Sequence, residues 1–105
     1  MSAAERFKAL ISGSIHPLLR KSGYRKRGLT WNADLGPLIT VVQVQRSAWS
    51  TELCCDFTIN LGLVVKEVHE VVTGAAPARF VSFSHCFPGF PIGRFNLLRR
   101  DTSLA

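Results

Sequence analysis

Two adjacent thiols, a His-Cys pair and an acidic stretch around a histidine are the nearest approaches in this chain to catalytic or metal-binding chemistry. Cys54 and Cys55 fall in a run from about Leu53 to Leu63 that reads as a strand. Successive strand residues point to opposite faces, so the two thiols cannot share one tetrahedral metal, and Cys55 is expected in the core. His85 and Cys86 meet the same obstacle in the alternating run FVSFSHCF (80–87), where a nucleophilic thiolate needs a histidine delivered by another strand. Glu67, His69 and Glu70 in EVHE lack the His-Glu-x-x-His spacing that aims two imidazoles at zinc; a solvated helix face accounts for them. His16, just before Pro17, is likewise expected at the surface. GLTWNADLG lacks the Lys-Ser/Thr ending of a phosphate-binding loop. No catalytic residue, metal ligand or cofactor is expected, and the chain reads as non-enzymatic.

Groups suited to recognition are denser. Arg20, Lys21, Arg25, Lys26 and Arg27 bring five cations together beside Tyr24 and Trp31, a set able to engage phosphates and stack bases. Strand alternation separates Arg25 and Arg27 from Lys26, and cations at a helix C-terminus also complement its dipole. In VVQVQRSAWS (41–50), Gln43 and Gln45 fall on the polar side of a strand, with Asp56, Thr58 and Asn60 expected on the same side of its neighbour. Arg46, Ser47 and Trp49 stand at the turn, and Arg and Trp are enriched at binding hot spots. Trp49 either folds back to cap the core or stands out as an anchor. The patch of Gln43, Gln45, Arg46, Ser47, Trp49 and Asn60 is the leading candidate surface, for a protein partner; nucleic-acid binding through residues 20–27 is the alternative.

The elements that must position these groups follow from periodicity. Ser2 and Glu5 match a capping box, and Phe7, Leu10, Ile11, Ile15, Leu18 and Leu19 recur at helical spacing, so an N-terminal helix runs to about Ser22 and stops at Gly23. Pro17 places a kink between residues 13 and 17. One strand is expected over Tyr24–Trp31, a turn over NADLGP (32–37), and a second strand over Leu38–Arg46. Facing Val44 with Phe57 and Val42 with Ile59 sets Gln43 opposite Thr58 and Gln45 opposite Asp56. VVKEVHEVVTG (64–74) has helical spacing, with Val64 or Val65, Val68, Val71 and Val72 on one side and Gly74 as the stop, while its β-branched content leaves a strand as the alternative. FVSFSHCF reads as a fourth strand. PGFPIGRFNLLRRDTSLA is broken by Pro and Gly and is expected to be partly irregular, with a disordered tail from about residue 96 to 105.

At 105 residues the chain has room for one small domain, residues 1–105, that hides about 65% of its unfolded surface. With 47% hydrophobic and 19% charged residues it is far from the composition of disorder. A formal charge of +6 favours acidic partners without choosing among them. MSAAERFKAL has Glu5 and no uninterrupted apolar core of a secretory signal, and no apolar run approaches the ~20 residues that span a bilayer. Three cysteines without regular spacing do not form a secreted disulfide framework. A cytoplasmic protein with reduced thiols and no membrane partner is expected. The fold class is α+β: an N-terminal helix packed on a mainly antiparallel sheet of three or four strands, with a second short helix.

The order HPLLRKSGYRKRGLTW, VVQVQRSAWS, FTINLG and IGRF resembles the bacterial family called domain of unknown function 4304. That family shows a similar Pro-Leu-Leu helix, a Gly-aromatic-basic turn, a hairpin with Gln before Trp, and an Asn-Leu-Gly strand end. The resemblance spans roughly residues 7 to 95 and implies an α+β fold without an established activity; an immunity-type or accessory role fits the size. Family members usually continue into a segment with an Asp and paired tryptophans, whereas this chain ends in LLRRDTSLA. The resemblance therefore implies a missing segment and a bare surface, which association into a homo-oligomer would cover.

Overall fold

The computed structural model describes residues 2–48, 50–86 and 88–98. Helix α1 (Ala3–Leu10) passes through a π-helical turn (Ile11–Ile15) into α2 (His16–Lys21). Strands β1 (Arg25–Arg27), β2 (Thr30–Asp34), β3 (Leu38–Arg46) and β4 (Cys54–Val65) follow, then α3 (Lys66–Thr73), a 3₁₀ turn (Phe83–His85) and β5 (Gly89–Leu98). The strands form one antiparallel sheet in chain order, β1-β2-β3-β4-β5. The α+β expectation holds, with five strands rather than three or four.

Ser2 caps α1: its Oγ accepts from the Glu5 N–H at 3.1 Å and donates to the Glu5 carboxylate. The expected kink takes the form of the π turn, in which the His16 N–H reaches back five residues to the Ile11 carbonyl. The extra residue moves Pro17 into the first turn of α2, the helical position where a proline is best tolerated. The helical segment lies across one face of the sheet. There Ala3, Phe7 and Ile11 pack on Trp31, Val42, Val44, Cys55 and Phe57 to form the main core. Cys55 is buried as expected.

The stretch Tyr24–Trp31 is not one strand. It folds into a tight hairpin in which Arg27 faces Thr30 across Gly28 and Leu29. Gly28, with φ of 61°, supplies the positive dihedral that a two-residue hairpin turn demands. Asn32 to Asp34, expected in a turn, therefore continue β2.

The β3–β4 register is shifted by two residues from the expectation: Val44 faces Ile59, Gln43 faces Asn60, Gln45 faces Thr58 and Arg46 faces Phe57. A shift of two keeps every side chain on its face, so hydrophobic alternation cannot detect it. The loop does. Ser50 Oγ accepts from the Asp56 N–H at 3.2 Å and the Ser47 N–H donates to the Asp56 carbonyl, which holds Asp56 beyond the last β3 pair.

The segment FVSFSHCF is not a strand either; Phe87 lies outside the described residues. Residues 80–86 lie over the sheet's second face, the back face, around the 3₁₀ turn. Their anchor is Asn32, 2% exposed, whose Oδ1 accepts from the Val81 N–H at 2.7 Å and whose Nδ2 donates to the Val81 carbonyl at 2.9 Å. A side-chain amide here does what a neighbouring strand would do. Ile39, Val41, Val64 and Val81 form a second, smaller core with Phe83 and Cys86 against it. Gly62 lets that cover approach: a Cβ there would stand 2.5 Å from Cys86 Cβ and 2.6 Å from its Sγ. Gly62→Ala should cost about 1–3 kcal/mol by overpacking, read as a lower urea midpoint, with Cys86 alkylated faster. A midpoint equal to wild type would contradict the close contact.

Helix α3 starts where the Lys66 N–H donates to the Pro37 carbonyl and Lys66 Nζ reaches the Asp34 carboxylate at 2.9 Å. The lysine hydrogen bond, with that from the Gly36 N–H, holds the Asp34 carboxyl below its usual range. Gly74 ends the helix in the left-handed region. Of the valine stripe that periodicity marks, Val64 lies at the end of β4, buried in the second core, whereas Val68, Val71 and Val72 on α3 stay in solvent, with Val71 81% exposed.

The irregular region expected after residue 88 is instead β5, the longest strand after β4. Its proline and glycines fit the edge position: Pro91 faces Asn60 beside a bulge between Ile59 and Asn60. Asn96 to Leu98, assigned to a loose tail, complete this strand; residues 99–105 lie outside the described residues. No described helix is long and apolar enough to cross a membrane.

Candidate functional site

The back face has two unlike halves. One carries the 80–86 cover; the other, formed by the turn-proximal ends of β3 and β4 with β5 beside them, carries polar side chains in three rows. Gln43 and Asn60 face each other with Pro91 beyond, Gln45 and Thr58 lead to Arg94, and Asp56 faces Asn96. Asn60 is 5% exposed because the two glutamines close over it: its Nδ2 donates to Gln43 Oε1 at 3.0 Å and Gln45 Oε1 at 3.4 Å. That pattern uses the glutamine oxygens and leaves their NH₂ groups with no acceptor among the described residues. Asn96 Nδ2 donates to the Asp56 carboxylate and, at 2.8 Å, to Cys54 Sγ. An open depression of about 430 Å³ lies at this end, lined by Gln45, Arg46, Ser47, Asp56, Thr58 and Arg94 among others.

The six residues expected to form one partner surface are thus divided. Gln43 and Gln45 share the back face, while Asn60 lies beneath them as their organiser rather than as a contact residue. Arg46 alternates to the helix face, its guanidinium carbon 5.7 Å from the Phe7 ring centroid, and borders the depression from the strand end. Ser47 lines the depression and Trp49 lies outside the described residues. Arg94 and Asn96 are additions that the irregular reading of residues 88–105 concealed. The alternation Arg94-Phe95-Asn96-Leu97 was a signal that could have found them.

The basic cluster is split as alternation requires. Arg25 donates to the Arg79 carbonyl at 2.9 Å and the Arg27 guanidinium lies 5.3 Å from the Phe80 ring, so both fasten the cover on the back face. Lys26 is on the helix face, 5.8 Å from the Trp31 ring, and Arg20 and Lys21 end α2. Trp31 is fully buried and is not available to stack on a base.

Residues 15–103 match the family described as Domain of unknown function (DUF4304). The chain belongs to that family. Neither a curated protein nor a solved structure matches it. In this DUF4304 domain, two of the motif stretches meet on adjacent strands: Asn60-Leu61-Gly62 on β4 and Ile92-Gly93-Arg94-Phe95 on β5 flank the bulge. One motif glycine, Gly62, admits the cover, and the other, Gly93, lies beneath the Phe95 ring, 2.8 Å from where its Cβ would be.

The chemical candidates of this DUF4304 domain occupy structural positions. His16, expected at the surface, is half-buried, and its Nδ1 accepts from Trp31 Nε1 at 3.1 Å. His85 Nδ1 bonds Ser82 Oγ, and His69 Nδ1 meets the Ala75 carbonyl. Burial pushes the Cys86 thiol up to about 11, so it is protonated near neutral pH rather than a ready thiolate. Among the described residues no three His, Cys, Asp or Glu side chains converge to hold a metal ion.

Proposed function

We propose that this domain is a non-enzymatic protein-recognition module whose contact surface is the uncovered half of the back face. The observation that supports the reading is the donor-rich array there: the Gln43 and Gln45 amide NH₂ groups and the Arg94 guanidinium, set on rigid strands beside an open depression. Such an array suits a partner segment rich in carbonyl and carboxylate acceptors, and the formal charge of +6 favours an acidic one. The surroundings are cytoplasmic in this reading. Against the nucleic-acid alternative stand the division of the basic cluster between two faces and the burial of Trp31.

The test compares capture of proteins from the native host by wild type, by Gln45→Ala/Arg94→Glu, and by Arg25→Glu/Arg27→Glu, each checked for folding. A partner held by wild type and the third chain but lost from the second supports the proposal. Equal capture by all three overturns it. Loss only from the third, with oligonucleotide binding that weakens steeply with salt, favours the alternative.

A further inference from the structure

The two edges of the sheet are built differently. The β1 edge is three residues long and wholly basic, Arg25-Lys26-Arg27, which is how natural sheets prevent an edge from pairing. The β5 edge is ten residues long, has one charge, Arg94, and has no neighbouring strand among the described residues. Phe90, Ile92, Phe95 and Leu98 on it are between 43% and 61% exposed.

An aromatic row also ends at this edge. Phe7 meets Phe57 edge-on at 5.3 Å, and Phe57 stacks on Phe95 at 5.4 Å. Phe95 is thus buried on the side toward Phe57 and open on the side toward the next strand position.

We propose that β5 pairs antiparallel with β5 of a second copy about a two-fold axis through Phe95, joining two sheets into one of ten strands. The strand's own sequence favours this occupant and register. A two-fold perpendicular to the sheet keeps the helix faces on one side and pairs residues of equal parity. Centring it on Phe95 sets Phe95 against Phe95, continuing the aromatic row, and Gly93 against Leu97. Arg94 then faces Asn96 of the second copy on the back face. Centring it on Arg94 would oppose two like charges.

The seam runs over residues 93–97, about 17 Å of paired strand, between the bulge at Ile92 and the Leu98 carbonyl that the Arg6 guanidinium occupies. That falls at the small end of specific interfaces, so a reversible dimer with Kd of about 10⁻⁵–10⁻⁴ M is expected.

Sedimentation equilibrium of the full chain from about 1 μM to about 1 mM reads this directly. The expected result is a monomer–dimer equilibrium in that range. Asn96→Lys places a lysine against Arg94 of the second copy, twice per dimer, and should weaken association about tenfold. Adding Arg94→Glu replaces the repulsion with an attraction and should restore affinity to within about threefold of wild type. That rescue separates a seam effect from damage to the Asn96 contacts with Asp56 and Cys54, and circular dichroism checks that each variant is folded. A chain that stays monomeric throughout overturns the proposal. So does a dimer that Asn96→Lys leaves unchanged, that the double substitution does not restore, or that Arg25→Glu on the opposite edge weakens equally.

Discussion

Trp31→Ala is expected to lower stability by about 3–5 kcal/mol, the range for emptying an aromatic site in a core. The side chain is fully buried between sheet and helix, and its Nε1 donates to His16 Nδ1 at 3.1 Å. Truncation removes the largest buried volume under the helix and leaves the imidazole without its donor. Since small domains are stable by about 5–15 kcal/mol, roughly a fifth or more of the total is at stake. Urea unfolding followed by far-ultraviolet circular dichroism measures it, and amide exchange should show α2 released first. A Trp31→Ala chain unfolding at the wild-type midpoint would refute the buried placement. Trp31→Phe keeps part of the volume and loses the hydrogen bond, so it should fall between the two.

Asn32→Leu, one residue later on the opposite face, should cost about 2–4 kcal/mol for a different reason. Leucine has similar bulk, so little cavity forms, but the Val81 N–H and carbonyl both lose their partner in a buried place. The effect should be local. Exchange at the Val81 amide should accelerate and Cys86 should become open to alkylation, while amides of α1 stay protected. If Val81 exchanges no faster in the variant, the amide pair is not what fastens the cover. Adjacent substitutions on β2 therefore loosen different layers, Trp31 the helix and Asn32 the cover.

How much of this was legible in the sequence depends on the range of the interaction. The capping box, the bounds of β3, the stop at Gly74 and the facing of Val42, Val44, Cys55 and Phe57 are local or period-two signals, and the structure bears them out. The two-residue register shift was invisible because it leaves the same side chains on the same faces. Residues 80–86 alternate like a strand, yet their backbone is held by the Asn32 side chain rather than by a ladder. Nothing local tells these apart. Gly28 hid a hairpin inside what reads as one strand. In β5, Pro91, Gly89 and Gly93 read as breakers, but at an edge a missing N–H is tolerated, and the glycines sit under the Phe83 and Phe95 rings. The candidate surface followed the same rule. Gln43 and Gln45 were found by alternation, Asn60 was placed on the right face but at the wrong depth, and Arg94 required knowing that β5 exists.

Because each strand pairs with the strand before it, the steps from β1 to β4 close over short stretches of chain, and the step to β5 closes over the longer segment of α3 and the cover. The N-terminal helix reaches farther still. It is synthesised first, yet the strands under Phe7 and Ile11 come later, and the Arg6 guanidinium reaches the Leu98 carbonyl 92 residues away. On a ribosome its apolar stripe must wait, uncovered, while the meander assembles behind it. Folding of this chain should accordingly be a series of fast local closures completed by one distant docking, and that last event sets the pace.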